Sequence, residues 1–193
     1  MRSISIASGG SIVAGSGSIT LSGNWSNVGS FNADTGSVNF VDAPACATTS
    51  IVSGNTTFAT LSIISATGKL YQFAPGSTQS ITAFLTLTGT QALPTRVQSS
   101  VAGQPAFINL MGNQNLSQLA VTDMVATGRW LAPYQANRNT SGAVVGWFGE
   151  PNPVPTLGNG LLIALSALLL FVGMRLRMRR RGDRHTNNQN ANV

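Results

Sequence analysis

Reactive side chains are sparse in this chain of 193 residues. Among the carboxylates, Asp34, Asp42 and Asp123 are the candidates for acid–base work or calcium binding, the chemistry that clustered acids perform on polysaccharides. They are distant in sequence, so only a fold that aligns remote segments on one face could make them converge. Taken singly, each suits a turn, where aspartate caps its own backbone. The one histidine, His185, follows a long apolar segment and sits in a polar tail, out of reach for a Ser–His pairing with the body. Cys46 is also alone, so it supports neither an intramolecular disulfide nor a multi-thiolate metal site. The glycine pairs Gly9-Gly10, Gly15/Gly17 and Gly158/Gly160 lack the following Lys-Ser/Thr of a phosphate cradle. This inventory predicts a protein with no catalytic residue, no cofactor and no metal.

The elements that would position these residues read as β. Ser, Gly, Thr and Asn make up 77 positions, whereas Lys69 and Glu150 are the sole residues of their types, so helices built on Glu/Lys pairs are nearly excluded. Short alternating runs at 18–22, 37–41, 60–64, 81–88, 106–110 and 119–122 are strand candidates with turn residues close by. Leu61-Ser-Ile63 recurs as Leu85-Thr-Leu87 at an offset of 24, a spacing that suits one coil of a parallel β-solenoid with Leu, Ile, Val and Phe inside and Thr, Ser and Asn outside. Four to six coils would give a rod on the order of 20 to 30 Å long at a strand separation of about 4.8 Å. A β-sandwich is the alternative fold. Trp130, Tyr134, Trp147 and Phe148 gather near the end of this region, where they would form a cap over the last coil or a sugar-stacking platform.

Charge is distributed unevenly. Residues 1–174 hold five Lys/Arg against four acids, whereas the rest of the formal charge of +6 comes from six arginines after Met174. A nearly neutral body offers no basic face for nucleic acid. The stretch 161–173 (LLIALSALLLFVG) reads as the centre of a membrane-spanning helix, completed to about 20 residues by its flanks. Arg175, Arg177, Arg179, Arg180 and Arg181 form a stop-transfer cluster that keeps the tail cytoplasmic and places the body on the outer side. Antiparallel outer-membrane barrels share the strand alternation but do not end this way. Export needs a leader, and no apolar run longer than 12–14 (IVA) occurs near Met1, so the chain is expected to be part of a longer protein.

Val154, Pro155, Thr156 and Leu157, followed by the apolar span and the arginine cluster, resemble the IPTL-type C-terminal sorting signals of Gram-negative bacteria, over about 30 residues. That family usually carries a Trp-Gly pair just after the motif, where this chain has Gly158-Asn-Gly160. The resemblance implies processing by an exosortase-type protease. Residues 23–31 (GNWSNVGSF), 36–40 (GSVNF), 54–63 (GNTTFATLSI) and 139–147 (NTSGAVVGW) resemble bacterial surface proteins with parallel β-helix bodies.

The expected organisation is an all-β, solenoid-like extracytoplasmic domain at 1–149, a Pro-rich linker and sorting motif at 150–156, a single transmembrane helix at 157–176 and a basic, polar cytoplasmic tail at 177–193. The expected function is a non-enzymatic surface protein, structural or adhesive, anchored or sorted through its C-terminus. Its partners would be the membrane, a sorting protease of the exosortase type, and glycans or other surface proteins. The alternative is a β-helix enzyme acting on extracellular polysaccharide through the three aspartates.

Overall fold

A computed structural model describes residues 2–42, 48–131 and 138–147. The chain divides into two compact units, Met1–Glu150 and Pro151–Val193. The first contains all described residues. The expected sorting motif Val154–Leu157, the span at 157–176 and the arginine cluster from Arg175 to Arg181 lie outside them, as do Cys46, Tyr134, Phe148 and His185. Among the described residues no helix is long and apolar enough to cross a membrane.

The first unit is a parallel β-solenoid of about five turns. The first coil contains β1 (Ile4–Ile6), β2 (Ser11–Val13) and β3 (Ser18–Leu21), and the second β4 (Trp25–Asn27), β5 (Ser30–Asn32) and β6 (Ser37–Phe40). The third is β7 (Thr49–Ser53) with β8 (Thr56–Ile64), and the fourth β9 (Leu70–Phe73) with β10 (Thr78–Thr88). The fifth comprises β11 (Thr95–Ser99), β12 (Ala106–Leu110) and β13 (Asn113–Ser117). Then follow β14 (Leu119–Thr122), β15 (Met124–Gly128) and β16 (Arg138–Ser141).

One seven-stranded sheet runs β1-β4-β7-β9-β11-β14-β16, a second runs β15-β12-β10-β8-β6-β3 with β13 also on β10, and β2 pairs with β5. The pairings between these strands are parallel, which excludes the antiparallel β-sandwich and the antiparallel barrel for this region. At about 4.8 Å per rung, seven strands extend roughly 29 Å. The two halves of the internal repeat lie side by side in register: Leu61 on Leu85, Ser62 on Thr86 and Ile63 on Leu87.

Alternation within each strand sorts the side chains. On the second sheet Leu21, Phe40, Ile63, Leu87 and Leu116 form one inward column, and each is at most 3% exposed. On the first sheet Trp25, Val52 and Phe73 form another, all buried. Stacked like with like, these columns remove apolar surface from water along the whole rod, so the unit needs no disulfide framework.

Several polar groups that enter the interior are tied to a neighbouring coil. The Trp25 indole N–H donates to Thr56 Oγ1 at 3.1 Å, and Asn27 Nδ2 donates to the same oxygen at 3.2 Å. Gln79, fully buried, donates through Nε2 to the Gly54 carbonyl at 2.8 Å. Gly54 itself has φ of +78°, and a Cβ there would fall 1.8 Å from the Asn27 carbonyl oxygen, so only glycine lets these two coils approach so closely.

Candidate functional site

The three aspartates occupy different turns. Asp34 is exposed between β5 and β6, Asp42 follows β6, and Asp123 lies between β14 and β15. Among the described residues, no group of three or more His, Cys, Asp or Glu side chains is placed to hold a metal ion. Sequence reasoning allowed that coil stacking would align the acids on one face; the coils stack, but the acids fall at different corners. Two of them do cap backbone, though on neighbouring coils rather than on their own turns. Asp42 Oδ2 accepts from Ala66 N at 2.8 Å, Thr67 N at 3.1 Å and Ser65 Oγ at 3.1 Å. Asp123, 4% exposed, accepts from Gly103 N at 2.9 Å through Oδ2 and from Ala143 N at 3.0 Å through Oδ1. Carboxylates engaged in this way are held as fixed acceptors.

Beside Asp42 lies a polar corner that the sequence did not single out. Ser65, whose hydroxyl donates to Asp42, accepts from Lys69 N at 2.9 Å. The only lysine of the chain is turned inward, 4% exposed, with Nζ donating to the Ser22 carbonyl at 2.7 Å and lying 5.3 Å from the centre of the Tyr71 ring. Tyr71 is wholly buried beneath it, and its ring meets Phe40 edge-on at 5.7 Å. Its hydroxyl has no hydrogen-bond partner among the described residues. A lone lysine in a Ser/Thr/Asn-rich chain reads as a solvated surface residue, which is why this corner was not legible. In the structure it fastens the turn after β8 to the turn after β3.

Burial raises the Tyr71 phenol well above its ordinary value, and the negative charge of Asp42 adds to the shift. A raised folded-state value means that the native state keeps its proton while the unfolded chain loses it. The stability this contributes is therefore present below about pH 10 and is lost as pH rises above it, at roughly 1.4 kcal/mol per pH unit. Unfolding midpoints between pH 10 and pH 12 should fall steeply for the native chain and much less for Tyr71→Phe. Equal slopes for the two would contradict this.

The outward faces carry what the aspartates do not, a repeated arrangement of polar groups. On the second sheet Thr20, Asn39, Ser62, Thr86 and Asn115 stand in one column, and Ser18, Ser37, Thr60, Phe84 and Asn113 in another. Hydroxyl and amide groups thus repeat about every 4.8 Å along the rod and about every 6.6 Å along a strand. Some bridge rungs, as Asn39 Nδ2 does in donating to Ser18 Oγ at 2.7 Å. The arrangement can hydrogen-bond a partner over a long, flat track without any chemical step.

The two members of the expected aromatic group among the described residues differ in burial. Trp147, 4% exposed, bridges to fully buried Leu131. Trp130 is 49% exposed and faces outward. No protein-family model, curated protein or solved structure matches this chain.

Proposed function

We propose that this is a non-enzymatic, exported surface protein, structural or adhesive, whose solenoid faces away from the cytoplasm. In this reading, residues 157–176 form the single transmembrane helix and Arg175, Arg177, Arg179, Arg180 and Arg181 hold the tail inside. Val154, Pro155, Thr156 and Leu157 are the motif offered to a sorting protease of the exosortase type. The observation that carries the reading is the pair of in-register outward columns, all Ser, Thr and Asn except Phe84, a surface for glycans or neighbouring surface proteins. The placement of Asp34, Asp42 and Asp123 at different corners, with Asp42 and Asp123 bonded to backbone, favours it over polysaccharide cleavage, which needs acids that converge on one substrate.

Protease added to intact spheroplasts tests the topology. Digestion of the solenoid with survival of a tail fragment is the expected pattern. A chain that is untouched until the membrane is lysed would overturn it. An assayable glycan-degrading activity abolished by Asp→Asn changes at Asp34, Asp42 and Asp123 would overturn the non-enzymatic assignment.

A further inference from the structure

The first coil has a rim of backbone with no strand beside it. β1 and β3 end their sheets and β2 has β5 as its single partner, so among the described residues nothing pairs with the other side of these three strands. In a parallel ladder, alternate residues address one neighbour. Ile4 N donates to the Asn24 carbonyl, the Gly10 carbonyl accepts from Ser30 N, Ala14 N donates to the Asn32 carbonyl and the Gly17 carbonyl accepts from Ser37 N, each at 2.9 Å. Ile4, Ile6, Ile12, Ile19 and Leu21 therefore address the second coil, whereas Ser5, Ser11, Val13, Ser18 and Thr20 aim their N–H and C=O groups away from it. Those five residues are all exposed.

Proteins stop such rims from pairing with charges or prolines, or by covering them. Here neither a charged residue nor a proline occurs between Ser3 and Ala33, and the single charge of the first coil, Arg2, precedes β1. Side chains do not bar the corners either. On the second coil, a Cβ at Gly29 would fall 2.4 Å from the Ala7 and Gly10 carbonyl oxygens, and one at Gly36 would fall 2.8 Å from Ala14 Cβ, so glycine there admits the coil alongside. Gly10 and Gly17 hold the same places before β2 and β3, yet a Cβ at either would approach atoms of its own coil alone. The first coil thus carries the corners of a rung with a neighbour on both sides. Inside it, Ile4, Ile12 and Ile19 are half-buried against the core, whereas Trp25 and Val38, in register with Ile4 and Ile19 on the second coil, are at most 1% exposed.

We propose that this rim is the interface with a second copy of the chain, the two first coils meeting about a two-fold axis that lies across the end of the rod. Rotation about such an axis reverses the sense in which a coil runs. The strands of the two rims therefore meet antiparallel, and the N–H and C=O groups aimed outward by one find acceptors and donors on the other. A like rim matches this one in strand number, length and spacing by construction. A charged rim would repel its own copy, and a neutral one does not. The contact is isologous, so it closes at two and covers both edges instead of building a fibre. It goes beyond the surface reading and is independent of it, because purified protein reports the pairing wherever the cell places the chain.

Sedimentation of the purified full chain in a density-matched detergent tests this, and a concentration-dependent dimer is expected. Ser5→Pro and Val13→Pro each delete a rim N–H while leaving the bonds to the second coil in place, and each should weaken the dimer by about tenfold or more. Thr57→Lys, exposed on β8 two coils away, should leave it unchanged. A second measurement does not rely on the proline variants folding. In a Cys46→Ser background, Ser11→Cys should cross-link between copies through a short bismaleimide, and Thr57→Cys should not. A monomer at every concentration overturns the proposal, whether the Ser11 and Val13 amides exchange freely or are protected by another part of the same chain. So does a dimer that both prolines leave intact, cross-linking at residue 57 in place of residue 11, or growth into open-ended fibres.

Discussion

Replacing Trp25 with alanine is expected to destabilise the solenoid by about 4 to 5 kcal/mol, toward the top of the range for large-to-small core changes. Trp25 is fully buried and bridges coils. Its ring meets Phe31 of its own coil edge-on at 5.0 Å and Phe58 of the next coil at 5.3 Å, and those two rings lie 5.8 Å apart. The three form one aromatic cluster, each contact adding about 0.5–1.5 kcal/mol beyond area burial. Alanine would leave a void that neighbouring strands, fixed by parallel pairing on both sides, cannot collapse to fill. Against a typical margin of 5–15 kcal/mol the loss is large, and amide protection should fall first in β1, β4 and β7. Trp25→Phe keeps most of the volume but forfeits the 3.1 Å bond to Thr56, so a loss of about 1–2 kcal/mol is expected there. Denaturant midpoints distinguish these outcomes. A cost below about 1 kcal/mol for the alanine variant would mean that the aromatic cluster is not the joint between these coils.

The second large effect is at Asp123, and it separates a structural acid from a catalytic one. Its carboxylate bonds Gly103 N at 2.9 Å and Ala143 N at 3.0 Å, so one buried side chain holds backbone on either side of its own coil. Its φ of +50° lies in the left-handed region, which Asp tolerates and alanine does not. Asp123→Ala therefore loses two charge-assisted bonds, adds backbone strain of about 1–2 kcal/mol, and should cost about 3–5 kcal/mol in all. Asp123→Asn keeps one acceptor and the backbone preference, and should lose about half as much. Asp34→Asn, in an exposed turn with φ of +44°, should change stability by less than about 0.5 kcal/mol. Thermal or urea unfolding of the three variants checks the ranking. Equal effects at Asp34 and Asp123 would contradict the bracing role.

The coil architecture was readable wherever a strand alternates apolar and polar residues. β3, β6, β12 and β14 coincide with runs picked out by alternation, and the Leu61/Leu85 repeat marks a real rung. Some of the strands that escaped are too short or too polar to show a period. β2 and β5 have three residues each, and β13 reads Asn-Gln-Asn-Leu-Ser with a single buried apolar position, Leu116. Such segments become strands because the coil before them supplies a template of N–H and C=O groups, information that is tertiary rather than local. Aspartate function was half legible. Turn capping was foreseen, but its partners lie 20 to 25 residues away because stacking brings distant turns together. The outward Trp130 and inward Trp147 were indistinguishable in sequence, since a shift of one residue along a strand reverses the face.

The assignment of the body to the outer side of a membrane is tested most directly by labelling single cysteines with a membrane-impermeant maleimide in spheroplasts of a Gram-negative host, in a Cys46→Ser background. Thr20→Cys reports an exposed position on the second sheet, and Thr186→Cys reports the tail beyond the arginines. The expected result is labelling at residue 20 in intact spheroplasts, with residue 186 reacting only after lysis. Labelling at residue 186 in intact spheroplasts, or protection of residue 20 until lysis, would contradict the account.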